Sequence, residues 1–175
     1  MKKGSDPFFD RPDSFGWISI TLHWVTSLLI VVLWLMGQSI MSQPTDEIDA
    51  RRALHITAGL VAWLPLAVRI GWRLLVAHPH VSGQSALVHR VARFTHYLIL
   101  ATLSVMIISG PVMAWALPDR TGIADIALVF HSNAAVVLLT LVVLHVLGAL
   151  KHLMFHEDET IVRIFLPRKQ AKDSE

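Results

Sequence analysis

Four apolar runs, each close to twenty residues long, constrain this chain more than any other feature. A helix rises 1.5 Å per residue, so about 20 apolar residues cross the hydrocarbon core of a bilayer. The runs predict membrane-spanning helices over residues 17–36 (WISITLHWVTSLLIVVLWLM), 53–76, 94–117 and 126–150. Composition agrees: 54% of residues are hydrophobic and 16% charged, where a soluble domain carries about 25% charged residues. The expected fold is all-α, an antiparallel four-helix integral membrane bundle forming a single domain over residues 1–175. Pro65 and Pro111 fall inside helices two and three, where a packed bundle tolerates a kink. Residues 151–175 read as a short amphipathic tail at the membrane surface.

Loop charge orients the bundle. The N-terminus, the connection from Arg69 to Arg93 and the tail from Lys151 hold twelve of the fifteen Lys and Arg residues; the other two loops hold Arg51, Arg52 and Arg120. The positive-inside rule then puts both termini in the cytoplasm. Lys2, Lys3 and Arg11 before the first run resemble the start of a signal peptide, but the run is too long and "GQSIMSQP" offers no small-residue cleavage site. It is expected to be a retained helix. The net charge of +2 does not suggest nucleic acid as a partner, and membrane lipid is the expected surroundings. The chain has no cysteine, which excludes disulfides, iron–sulfur clusters and covalently attached haem.

Ten histidines are many for such a chain, and four fall at matched depths. His131 and His145 are fourteen residues apart in one apolar run, so both rings face the same way, separated by about 21 Å along the axis. His23 lies at the depth of His145, on the inner side, and His55 at that of His131, on the outer side. One turn after each of the four come small residues on the same face: Thr26 and Ser27, Ala58 and Gly59, Ala134 and Ala135, Gly148 and Ala149. Small neighbours open a slot beside each ring, as a flat macrocycle standing between helices requires. His96 is followed instead by Ile99 and Leu100, and His152 by Phe155 and His156.

Haem b fits this pattern. Two neutral imidazoles fill both axial positions of one iron, which suits electron transfer rather than oxygen binding. His23 and His145 would hold an inner haem b, His55 and His131 an outer one. Arg69, fourteen residues past His55, and Arg51 and Arg52, one turn before it, are the candidate cations for haem propionates. Other readings stand beside this one. Intramembrane histidines also serve as helix–helix hydrogen-bonding residues, and Gly and Ala as ordinary close-packing positions. A histidine-lined divalent-metal transporter would want carboxylates in its path, and no Asp or Glu lies within the four runs. Met36, Met106 and Met113 read as packing residues, Trp17, Trp72 and Trp115 as interfacial anchors.

The segments "ISITLHW", "LHITAGLVAWLPLAVRIGWRL", "THYLIL" with a later "SGPVMAW", "FHSNAAVVLLTLVVLHVLGALKH" and "HEDETIVRIFLPRK" follow one another in an order and spacing that resembles the bacterial cytochrome b561 family of small dihaem membrane proteins. The resemblance runs from the first helix to the tail. It implies a protein of the bacterial inner membrane with two haems b, their axial ligands carried onto His23, His55, His131 and His145. It also implies electron exchange with the quinone pool and, in some members, oxidation of superoxide at the outer face. The third-helix motif of the family often has two histidines three residues apart; here Arg93 stands at the earlier position and His96 remains. The expected function is electron transfer across the cytoplasmic membrane between quinone and an outer donor, superoxide or a periplasmic redox protein. The alternative is the membrane cytochrome b subunit of a larger dehydrogenase or hydrogenase-like complex. Arg51, Arg52 and Arg120 are the outer cations available to attract superoxide. His96 and His152, at the cytoplasmic level with Arg73 and Lys151 close in depth, are the expected quinone contacts.

Overall fold

The structure is a computed structural model that describes residues 6–12, 14–41, 45–76, 86–116, 122–155 and 164–166, without the side chains of 41, 45–49, 86, 88, 152, 153 and 155. The described chain forms four helices: α1 (Trp17–Met41), α2 (Thr45–Leu75), α3 (Ala86–Ala116) and α4 (Gly122–Phe155). Each contains a stretch long and apolar enough to cross a membrane. The helices outrun the apolar runs: α2 starts at Thr45 rather than Ala53, α3 at Ala86 rather than Phe94, and α4 extends through Phe155. Hydropathy marks where hydrocarbon ends, whereas the backbone hydrogen-bond ladder continues into water wherever residues favour helix.

Cross-helix contacts show that neighbours run in opposite directions. Ser19 near the start of α1 meets Trp72 near the end of α2, while Gly37 late in α1 lies against His55 early in α2. Likewise Ser109 late in α3 meets His131 early in α4, and His96 early in α3 meets His145 late in α4. The most extensive helix contacts join α3 to α4, then α1 to α2, then α2 to α3. At mid-depth, Ala62, Leu66, Leu103 and Leu138 form a buried cluster, with Leu29, Ile30, Leu33 and Met106 packed on it. The outer surface is the reverse of a soluble protein's: Val61 is 75% exposed and Ile108 65%. Lipid, not water, is the solvent that such a surface fits.

Hydrocarbon leaves no backbone group free, and two places in the bundle show how this chain complies. Pro111 has no N–H, so the carbonyl of Ile107, one turn earlier on α3, lacks its helical partner. The Trp63 indole Nε1–H of α2 donates to that carbonyl at 3.0 Å. At the start of α1 the Trp17 and Ile18 N–H groups donate to the carbonyls of Pro7 and Phe8, at 3.0 and 3.2 Å. The Gly16 N–H donates to the Asp10 carboxylate at 2.8 Å. Residues 6–16 thus fold back to cap the helix, filling the orphan positions every helix N-terminus has. A side chain at 16 would run into the backbone of Phe8 and Phe9, so only glycine allows the fold-back.

Trp72 departs from its expected role. Rather than facing the lipid headgroups, its indole Nε1–H donates to Ser19 Oγ at 2.7 Å and its ring stacks on Phe9, 6.1 Å between centroids. Of the expected amphipathic tail the described part is α4 through Phe155 and residues 164–166. There the Ile164 carbonyl accepts from Trp24 Nε1–H at 2.9 Å and Phe165 packs on the Trp24 ring, 4.8 Å away.

The Trp63 bond is testable. Interhelical hydrogen bonds in membranes average about 0.6 kcal/mol and reach about 1.7. Trp63→Phe should therefore lower unfolding stability in detergent by about 1 kcal/mol, whereas Trp115→Phe, at a 77% exposed position, should leave the thermal midpoint unchanged.

Candidate functional site

The four depth-matched histidines meet in two pairs. The rings of His23 and His145 are 6.4 Å apart between centroids, at the end of the bundle where the chain begins and ends. Those of His55 and His131 are 6.3 Å apart, towards the opposite end. One partner of each pair stands on α4, facing α1 in one case and α2 in the other. All four rings are half-buried. The buried Leu66, Leu103 and Leu138 lie at intermediate depth, between the two pairs.

This spacing has a chemical meaning. Aromatic rings in ordinary contact have centroids about 4.5–7 Å apart. Two metal–nitrogen bonds of about 2 Å plus two ring half-widths of about 1 Å would place imidazoles that share one metal about 6 Å apart. The observed spacing is thus one that a shared metal would also produce. Among the described residues no three or more His, Cys, Asp or Glu side chains gather to hold a metal by themselves. Two imidazoles suffice where a macrocycle supplies the other four positions. A Cβ built on the half-buried Gly59 meets no atom within 4 Å, whereas Gly148 lies on the exposed surface of α4. The residues present therefore fit haem b on ring spacing and donor number.

Ring orientation at the His55–His131 pair comes from the neighbouring helices. The Ser109 hydroxyl donates to the Val105 carbonyl at 2.7 Å, which uses its one hydrogen. Its contact with His131 Nδ1 at 3.1 Å is then one in which the imidazole Nδ1–H donates. That leaves His131 Nε2 with a lone pair, the form a metal-binding histidine takes. Gly110 permits the approach, since a Cβ there would lie 3.3 Å from His131 Cε1. The arrangement recurs across the pair: a Cβ on Gly37 of α1 would lie 3.5 Å from His55 Cε1. The Leu33 carbonyl, one turn before Gly37, is within reach of the His55 imidazole, although buried Nδ1 completes no well-formed hydrogen bond. Each ring thus turns one edge to the backbone of a neighbouring helix, at a glycine.

The His23–His145 pair has different company. His96 lies edge-on to His145, 4.8 Å between centroids, so it adjoins this histidine pair rather than standing apart from it. Trp24 is edge-on to His23 at 5.4 Å. Arg69 stands on α2 one turn before Trp72, whose bond to Ser19 of α1 fixes this part of α2 at the same end of the bundle. Arg51 and Arg52 are half-buried on α2, one turn before His55. The side chain of His152 and the whole of Arg120 lie outside the described residues.

Three residues of the site escape a reading of single helices: Ser109, Gly110 and Gly37. A hydroxyl and a glycine inside the third apolar run and a glycine just past the end of the first are the available signal, and "SGP" carries two of them together. Which ring they touch depends on the rotation of one helix against the next. The search for small residues one turn after each histidine on its own helix does not look there.

Comparison with known proteins places the chain. It is 25% identical to cytochrome b561 homolog 2 of Escherichia coli over 90% of this chain and 94% of that protein. It is 26% identical to cytochrome b562 of Cereibacter sphaeroides over 86% of this chain and 94% of that protein. The family model for prokaryotic cytochrome b561 matches residues 14–167, which takes in all four helices and both histidine pairs. The chain belongs to the prokaryotic cytochrome b561 family and is a multi-pass membrane b-type cytochrome of electron transfer.

Proposed function

We propose that this protein binds two haems b, one between His23 and His145 and one between His55 and His131, and passes electrons across the bacterial inner membrane between an outer one-electron donor and quinone. The observation that carries this reading is the repetition of one imidazole spacing, 6.4 and 6.3 Å, at two depths along the same helix. Haem b supplies a one-electron iron couple when bound. The protein's own residues do the rest. His23, His145, His55 and His131 would hold the haems through neutral imidazole nitrogens and would so keep other ligands off the metal. Ser109 holds the His131 ring with its free nitrogen inward. The apolar cluster at mid-depth keeps water from the space between the two centres.

The concentration of Lys and Arg at the end that carries the termini supports a cytoplasmic position for that end. Arg69 there, and Arg51 and Arg52 beside His55, are the proposed propionate partners. Superoxide, a small anion, is the proposed outer donor, drawn by Arg51, Arg52 and Arg120. Quinone is the proposed acceptor at the cytoplasmic end, contacted by His96 and His152. The contact of His96 with the His145 ring supports that choice, because a quinone hydrogen-bonded to His96 would adjoin a ligand of the nearer haem.

Replacing His145 by Ala should lower haem content from two per chain to one and leave the haem held by His55 and His131; His131→Ala should do the reverse. Pyridine haemochrome assay with a redox titration distinguishes the two, and loss of both haems, or of neither, from a folded variant contradicts the pairing. Ser109→Ala removes the acceptor for His131 Nδ1–H. Lost support of this kind costs about tenfold to a hundredfold in metal affinity, so one haem should dissociate more readily and the other not. For quinone, His96→Leu and His152→Ala variants that retain both haems should be reduced normally by an outer donor but reoxidised more slowly by a soluble quinone in stopped-flow mixing. Unchanged reoxidation in both would remove these residues from the quinone site.

A further inference from the structure

The capped start of α1 brings a carboxylate to the same end of the bundle as the His23–His145 pair. Asp10 is anchored on two sides: its Oδ1 accepts from the Gly16 N–H and its Oδ2 from the Ser19 hydroxyl, each at 2.8 Å. Ser19 is 1% exposed, and its oxygen accepts in turn from Trp72 Nε1–H of α2 at 2.7 Å. Phe9, next to Asp10, stacks on the Trp72 ring. The carboxylate is therefore clamped between α1 and α2 by a chain of bonds that ends on Trp72, one residue before Arg73 and three past Arg69.

Arg69 and Arg73 are four residues apart and share one face of α2. Both are half-buried. Two like charges this close repel each other, and the negative charge of Asp10 acts on both. Arg69 acts electrostatically on His23, His145 and His96, and Arg73 on His23 and His96. In surroundings of low dielectric these charges are weakly screened. Uncompensated, the two cations would favour an added electron at the His23–His145 centre.

We infer that Asp10 is a positioning residue for that centre: a carboxylate clamped in the N-terminal cap which, by offsetting Arg69 and Arg73, lowers the readiness of the centre to accept an electron. The inference rests on the proposed ligation of a haem by His23 and His145. The sign follows from charge alone. Neutralising Asp10 leaves the surroundings more positive, which destabilises the oxidised, more positively charged iron and raises its reduction potential. The centre between His55 and His131 lies at the other depth and should not respond.

The test is a spectroelectrochemical titration of the full-length, haem-replete protein in detergent. Asp10→Asn keeps the size of the side chain and removes its charge. It should raise the midpoint of one haem only, by a threefold to tenfold change in the reduced-to-oxidised ratio, tenfold corresponding to about 59 mV for one electron. Asp10→Glu should restore the original midpoint, and Ser19→Ala, which keeps the carboxylate charge, should shift it less than Asp10→Asn. Two full haems with neither midpoint moved, an equal shift of both, or an equal effect of Ser19→Ala would overturn the inference. Should Asp10→Asn fail to fold, Arg73→Gln gives a second reading: loss of one cation should lower the same midpoint, and no change refutes the proposal. His145→Ala separates the two levels of argument. If it leaves both haems bound, the ligand assignment fails; if it removes one, Asp10→Asn in that background should shift nothing.

Discussion

A polar group placed in hydrocarbon must be satisfied from within the protein, and the architecture follows from that demand. Each helix satisfies its own backbone except at its ends and at its prolines. At these points the chain uses side chains and a folded terminus: Trp63 on the carbonyl that Pro111 leaves free, and residues 6–16 on the first amides of α1. The same demand governs the imidazoles. His131 meets it on one edge through Ser109, which passes the bond on to the carbonyl of Val105. Its other nitrogen remains available to a metal, so structural satisfaction and the capacity to ligate come from one chain of hydrogen bonds.

The two histidine pairs are alike in spacing and unlike in surroundings. At the His55–His131 pair the immediate neighbours are Ser109 and the glycines Gly37 and Gly110, with Arg51 and Arg52 one helical turn before His55. At the His23–His145 pair the neighbours are Trp24, His96 and Arg69, and beyond them the clamped carboxylate of Asp10. Apolar, close-packed surroundings fix geometry, whereas a charged, partly solvated end can tune a potential and admit a substrate. This difference in surroundings supports the proposed exchange with quinone at the end that holds the start of α1 and the end of α4.

The described segments before α1 and after α4 are part of that end rather than appendages to it. Asp10 joins α1 to α2 through Ser19 and Trp72, and residues 164–166 rest on Trp24, whose neighbour His23 belongs to one of the two histidine pairs. A search for apolar runs sees neither, because both segments are polar or short. They take their shape from the helices they rest on.

Much of this molecule is written in one dimension. Run length alone determines four spanning helices, since bilayer thickness and helical rise admit one match. The helical period then sets the depth and common direction of His131 and His145, and antiparallel order sets their partners. Family membership was likewise legible, in the succession of short histidine-bearing segments. What the sequence left open is whatever depends on how one helix is rotated against the next. α4 is apolar on every side, so its pattern does not say which face meets α3 and which meets α1 and α2. Only the packed structure brings Ser109 and Gly110 to His131, Gly37 to His55, and His96 to the ring of His145. Only the packed structure turns Trp72 inward to Ser19 and so clamps Asp10 near Arg69 and Arg73. Hydrophobicity is non-directional and can place a helix in the membrane, but close packing and hydrogen-bond geometry decide its neighbours.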